Sequence, residues 1–168
     1  MKEIKLTRGY VAMVDDEDYD ELAKFRWTSS VLSNNIYAFR TSNRNINSSM
    51  PIHIQMHRQI MGLTNPKVEV DHIDGNGLNN QKNNLRPCTR SENAYNCSSF
   101  INSSSKYVGV SYARHGKRIR RWLANIKKDG VPVRIGCYLT EDEAALARDM
   151  FVLDNKMEFA KLNILTRK

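Results

Sequence analysis

The side chains best suited to chemistry are concentrated between Val70 and Asn96, in the run VDHIDGNGLNNQKNNLRPCTRSENAYN. Asp71 offers a hard carboxylate oxygen, suited to Mg²⁺ or a similar ion. His72 titrates near neutrality and can take a proton from water. Asn93 can offer an amide oxygen to the same ion. Neighbours on a strand point to opposite faces, so Asp71 and His72 share a site only where the strand ends or bends. The turn signal at Gly75 supplies such an end.

Other site chemistries fail on spacing. A calcium EF-hand loop needs oxygen ligands at its first, third and fifth positions and Gly at the sixth. Counting from Asp71 places Ile73, Gly75 and Asn76 there, and counting from Asp74 places Asn79 at the sixth. A zincin helix needs His-Glu-x-x-His. His53 and His57 have that spacing, but Ile54 replaces the Glu. An Asn-rich turn around a hydrogen-bonded histidine fits the same residues with no chemistry at all, and the residues alone leave that reading open.

The elements that must position these groups can be read from local signals. Val68-Glu69-Val70 reads as a short strand, Asp74-Gly75-Asn76-Gly77 as a turn and Leu85-Arg86-Pro87-Cys88 as a second strand. Thr89 with Glu92 forms a capping box, so a helix should start at Arg90 and carry Asn93 near its first turn. Upstream, Ile54, Met56, His57, Ile60 and Met61 recur at helical spacing before Gly62. Nearer the N-terminus, Val11–Val14 suggests a strand, and the acids Asp15–Asp18 suggest the start of a short helix. Strand pieces at Arg26–Thr28 and Tyr37–Phe39 flank a turn signal at Asn34-Asn35.

Beyond a Ser/Asn-rich stretch at 98–105, which reads as a linker, three strands are expected at Lys106–Val110, Arg120–Lys127 and Val131–Tyr138. Asp129-Gly130 is a hairpin signal. Thr140 with Glu143 is a second capping box and launches a final helix. Alternation on the second strand turns Trp122, Ala124 and Ile126 inward and Arg121, Leu123, Asn125 and Lys127 outward. On the third strand Val133 and Ile135 go in and Arg134 comes out.

Charge identifies the partner. Lys+Arg is 26 and Asp+Glu is 18 in 168 residues, a net of +8. Residues 106–138 hold nine basic side chains against one acid, Asp129, so that stretch alone accounts for the excess. This is the footprint of a polyanion-binding surface. No amphipathic basic helix accompanies it, which favours double-stranded nucleic acid over an anionic membrane. No apolar run approaches the roughly 18 residues of a membrane-spanning helix. Met1–Lys5 lacks the apolar core of a signal peptide. Cys88, Cys97 and Cys137 form neither a disulfide framework nor a paired-thiolate zinc knuckle. A cytoplasmic setting follows as the expectation.

These motifs carry two resemblances. Met56-His57-Arg58, Val70–Asn76, Asn80, Asn83–Arg86 and Ser91-Glu92-Asn93 together resemble the HNH nuclease family. The form is the His-Asn-Asn one of phage and intron homing endonucleases. The resemblance implies an endonuclease with a ββα-metal fold and one divalent ion, Mg²⁺ foremost and Mn²⁺ as a substitute. It implies Asp71 and Asn93 as ligands, His72 as general base and Asn84 as a brace that helps orient His72. His57 and Arg58 match an upstream pair, with His57 a catalytic candidate and Arg58, like Arg86, a candidate DNA contact.

Residues 106–163 resemble the plant ethylene-response-factor (Apetala-type) DNA-binding domain. The residues that carry this are Tyr107–Val110, Trp122–Ile126, Ile135–Tyr138, Thr140–Ala145 and Ala160–Asn163. The resemblance implies that the sheet enters the major groove. The candidate DNA contacts are then Arg114, Lys117, Arg118, Arg120, Arg121, Asn125, Lys127 and Arg134. Ser111 and Ala113 stand where the plant pattern has arginines, so the plant target sequence does not carry over.

The expected fold class is α+β, with an N-terminal ββα-metal nuclease lobe followed by a three-stranded antiparallel sheet on one helix. The expected organisation is a buttressing segment at 1–50, a nuclease at 51–97, a linker at 98–105 and a DNA-binding domain at 106–168. The expected function is hydrolysis of DNA phosphodiester bonds at a site chosen mainly by the last domain, with no protein partner implied. A non-catalytic DNA-binding regulator on a degenerate nuclease fold is the alternative. The complete set Asp71, His72, Asn84 and Asn93 favours the enzyme.

Overall fold

A computed structural model describes residues 1–32, 35–42, 51–96, 102–113 and 121–165. The chain divides into two compact units, Met1–Arg90 and Ser91–Lys168.

In the first unit, β1 (Lys2–Lys5) runs antiparallel to β2 (Val11–Val14). β1 is mostly charged, and only Ile4 gives it an inward face. Helix α1 (Asp16–Leu22) follows, with Asp16, Glu17 and Asp18 in its first turn, where the helix dipole favours carboxylates. Leu22 closes it onto the core, and the Trp27 indole N–H donates to the Leu22 carbonyl at 2.8 Å. Then β3 (Thr28–Leu32), β4 (Asn35–Ser42) and β5 (Ile52–Gln55) make an antiparallel sheet with β4 in the centre. The core beneath consists of Ile4, Leu6, Ala12, Val14, Leu22, Trp27, Ala38 and Met56. Because Met56 belongs to it, the expected buttressing segment and the start of the expected nuclease segment share one core.

Helix α2 (Met56–Ile60) is shorter than the periodicity suggests. Ile54 lies in β5 instead, opposite Arg40 of β4, so strand pairing has claimed residues that also fit a helical pattern. Next, β6 (Glu69–His72) and β7 (Leu85–Cys88) form an antiparallel pair with Asp71 opposite Arg86 and His72 opposite Leu85. Helix α3 (Arg90–Asn93) begins at the residue set by the capping-box signal, completing a strand–strand–helix order along the chain.

In the second unit, β8 (Val110–Tyr112), β9 (Trp122–Lys128) and β10 (Val131–Tyr138) form an antiparallel sheet with β9 central. Asp129 and Gly130 both have positive φ, the requirement of the tightest hairpin turn. Helix α4 (Glu141–Asp154) opens on the expected capping box: Thr140 Oγ1 accepts from the Glu143 N–H and Glu143 Oε2 accepts from the Thr140 N–H. Ala144 and Ala145 pack against Val110 and Ala124, and Val152 against Ile126. Trp122, Ala124 and Ile126 are on the core side, as alternation requires. Asn163 clasps both backbone groups of Val108, and buried Asp149 accepts the N–H groups of Asn163, Ile164 and Leu165.

Two boundaries differ from the sequence reading. The first strand begins at Val110, not Lys106. Gly109 has φ +72°, and a Cβ there would meet the Asn125 carbonyl at 2.4 Å, so the chain bends just before pairing. The described end of the expected linker is not a spacer: Ser105 Oγ donates to Glu141 at 2.6 Å, and Ser104 Oγ accepts from the Tyr112 N–H at 2.9 Å. Tyr95 packs on the Ile126–Val152–Ala160 cluster, so the second unit starts well before residue 106.

Candidate active site

The site is built on the β6–β7 hairpin and its connecting loop. His72 is the last residue of β6, and the chain turns at once: the Gly75 N–H donates to the His72 carbonyl at 2.8 Å. Asn84 braces the loop. Its Oδ1 accepts from the Asp74 N–H, and its Nδ2 donates to Asp74 Oδ1 and to the Asn79 carbonyl, at 3.0, 3.0 and 2.9 Å. Burial works to raise the Asp74 carboxyl, but hydrogen bonds from Asn79, Asn76 and Asn84 outweigh it and hold the group ionised.

From the other side the N-terminal strands grip the same loop. The Met13 N–H donates to Leu78, the Asn80 N–H donates to Met13, and Asp15 accepts from the Lys82 N–H and the Gln81 side chain.

Asp71 and His72 are 3% and 4% exposed. Burial lowers the His72 pKa, with Asn80, Asp74 and Asp71 opposing in part, so the imidazole is held neutral, the form a general base needs. His57 packs edge-on against it with ring centroids 5.1 Å apart. His57 is 6% exposed, and burial with His72 and Arg58 nearby pushes its pKa down to about 3. One nitrogen, Nε2, meets Gln55 Oε1 at 3.0 Å, while Nδ1 is buried without a hydrogen-bond partner among the described residues. His57 is therefore a packing neighbour of His72.

Two arginines expected to touch DNA are engaged internally. Arg58 donates to the carbonyls of Val68, Leu63 and Asn65 and ties down the approach to β6. Arg86 faces Asp71 across the hairpin and holds its Oδ2 through Nε at 2.8 Å and Nη2 at 2.6 Å. Asn93 belongs to the second unit, at the end of α3.

The donor chemistry around Asp71 fits a hard divalent ion held by few protein groups. The Arg86 Nε and Nη2 contacts fall on Asp71 Oδ2. No three His, Cys, Asp or Glu side chains converge to hold a metal among the described residues. Mg²⁺ suits such a site, since it keeps several waters and takes substrate phosphate oxygens.

On the second unit, Arg121, Asn125, Lys127 and Arg134 lie on the sheet or at its edge. Val133 and Ile135 pack inward, and β10 shifts register between Arg134 and Gly136. Arg121 donates to the Tyr112 hydroxyl at 3.0 Å, and Arg134 lies 2.8 Å from Cys137 Sγ. Arg114, Lys117, Arg118 and Arg120 lie outside the described residues. No helix among the described residues is long and apolar enough to cross a membrane.

Sequence reasoning missed two neighbours of His72. Asn80, fully buried, lies near its ring and works against the lowering of its pKa, and it stood in the motif without a role. Tyr37, on β4, packs on both histidines and carried no motif signal at all.

Comparison with known proteins agrees with this geometry. Residues 52–95, from β5 through α3, match a family model described as HNH endonuclease. An uncharacterized HNH endonuclease of Acanthamoeba polyphaga mimivirus is 32% identical over 115 residues, 66% of this chain and 57% of that protein. The chain thus spans little more than half the length of that relative. No solved structure matches it. Both matches support an HNH nuclease domain in this chain.

Proposed function

We propose that this protein is a divalent-metal-dependent DNA endonuclease of the homing type, cutting double-stranded DNA at a site chosen mainly by its second unit. The observation that supports it most is the buried, neutral His72 beside the Asp71 carboxylate, inside the stretch that matches the HNH endonuclease family. His72 takes the proton from the attacking water, and its fixed orientation makes that transfer efficient. Asp71 would hold the ion, with Asn93 the second ligand that the resemblance assigns. When bound, Mg²⁺ or Mn²⁺ would neutralise charge developing on the phosphate and the leaving 3′ oxygen. Asn84 keeps the loop in the shape that presents His72. The basic excess of residues 106–138 supports the second unit as the address.

Incubation of the purified chain with supercoiled plasmid tests this. Nicked or linear product should appear with Mg²⁺ or Mn²⁺ and disappear with EDTA. DNA binding without product in either metal would instead favour the non-catalytic regulator.

A further inference from the structure

We propose that Tyr37, contributed by the N-terminal sheet, is a positioning residue of the nuclease site that holds the His72 imidazole in one orientation. This rests on the nuclease reading above.

The rings of Tyr37, His57 and His72 form a closed set. Tyr37 lies 5.8 Å from His72 and 6.0 Å from His57, with interplanar angles of 59° and 71°, and the two histidines are perpendicular. Tilted and edge-to-face contacts at these separations are the preferred geometry for aromatic rings. Strand pairing fixes only the backbone of His72. Its ring packs against these two neighbours.

Tyr37 is itself held in place. Its hydroxyl accepts from Asn35 Nδ2 at 3.2 Å. A Cβ on Gly77 would fall 2.6 Å from Tyr37 Cδ1 and 2.5 Å from the Ile36 carbonyl, so only glycine lets the loop lie against this strand. The Asn35 amide then fastens the loop, donating to the Gly75 carbonyl at 2.9 Å and accepting from the Gly77 N–H at 3.0 Å. One side chain thus secures both the tyrosine and the loop that follows His72. A general base must present its nitrogen to water in a fixed direction, and a displacement of about 1 Å costs on the order of 10²-fold in rate.

The test compares Y37F, Y37L and N35A in the full chain by plasmid cleavage and by ¹⁵N imidazole NMR. Y37F keeps the ring and should stay within about 3-fold of the wild-type kcat. Y37L should lose about 10- to 100-fold in kcat with KM for DNA nearly unchanged. Its His72 resonances should shift or broaden while those of Y37F match the wild type. N35A releases both the tyrosine hydroxyl and the loop, so it should broaden the same resonances even if Y37L does not fold. Unchanged His72 spectra in folded Y37L and N35A would overturn the proposal. A wild-type chain that never cuts DNA removes the nuclease reading, yet the spectra still decide whether Tyr37 sets the ring.

Discussion

Arg86 and Asp71 face each other across the β6–β7 hairpin, and both guanidinium contacts, at 2.8 and 2.6 Å, fall on the same carboxylate oxygen. The carboxylate is 3% exposed, so this is an ion pair closed to water on its acidic side. Arg86→Gln should therefore cost roughly 3 kcal/mol in urea unfolding, the penalty for breaking a buried ion pair. Adding Asp71→Asn should recover part of that loss, because no carboxylate is then buried without its guanidinium. A double variant less stable than Arg86→Gln by the full cost of Asp71→Asn would mean the two residues do not interact.

Removal of the base should separate chemistry from binding. His72→Ala should lower cleavage by about 10²- to 10⁴-fold. DNA affinity in a gel-shift assay should hold, since His72 is buried and the basic stretch lies elsewhere. Asp71→Ala and Asn93→Ala should instead raise the Mg²⁺ concentration needed for half-maximal rate.

Burial also shapes the pH profile. The neutral imidazole is the active form, and the His72 pKa lies below the ordinary 6.5. The acid limb of cleavage should therefore fall below pH 6.5. A limb centred above 6.5 would contradict a buried neutral base.

His57 links pH to stability. Its pKa is about 3 folded and about 6.5 unfolded, so between those values the unfolded chain binds the extra proton. Its contribution is complete above pH 6.5 and is lost as pH falls toward 3, by at most about 1.4 kcal/mol per pH unit. Urea midpoints at pH 7 and pH 5 should show the drop, and His57→Gln should flatten it.

The second unit supports a prediction about where to cut the chain. A fragment of residues 91–168 should fold and bind duplex DNA without cleaving it. A 106–168 fragment should be less stable, because it lacks Tyr95, which packs on the Ile126 cluster and accepts from the Asp129 N–H. If about five basic side chains touch phosphates, log K should fall with log salt at a slope of roughly −4 to −5. Lys127→Ala should reduce that slope by about one, whereas Asn125→Ala should lower site discrimination by ~1–3 kcal/mol if it reads a base.

What the sequence determined by itself was local. The box at Thr140, the Asp129-Gly130 turn and the inward Trp122, Ala124 and Ile126 each depend on residues a few positions apart, within reach of backbone geometry alone. The bracing of the loop by Asn84 came from the family resemblance and not from any local pattern, and its hydrogen bonds to Asp74 and Asn79 agree with it. Tertiary structure decided the rest. Arg58 and Arg86 read as phosphate contacts because an isolated cation in a nuclease motif gives no hint of an internal partner. Only the pairing of β6 with β7 brings Arg86 to Asp71, and only the packing beside α2 turns Arg58 onto backbone carbonyls. Tyr37 and Asn35 reach the His72 loop from far upstream in the chain, across a sheet whose register no local pattern encodes. Long-range contacts of that kind follow from which hydrophobic faces close on one another, and that is a property of the folded core rather than of any stretch of sequence.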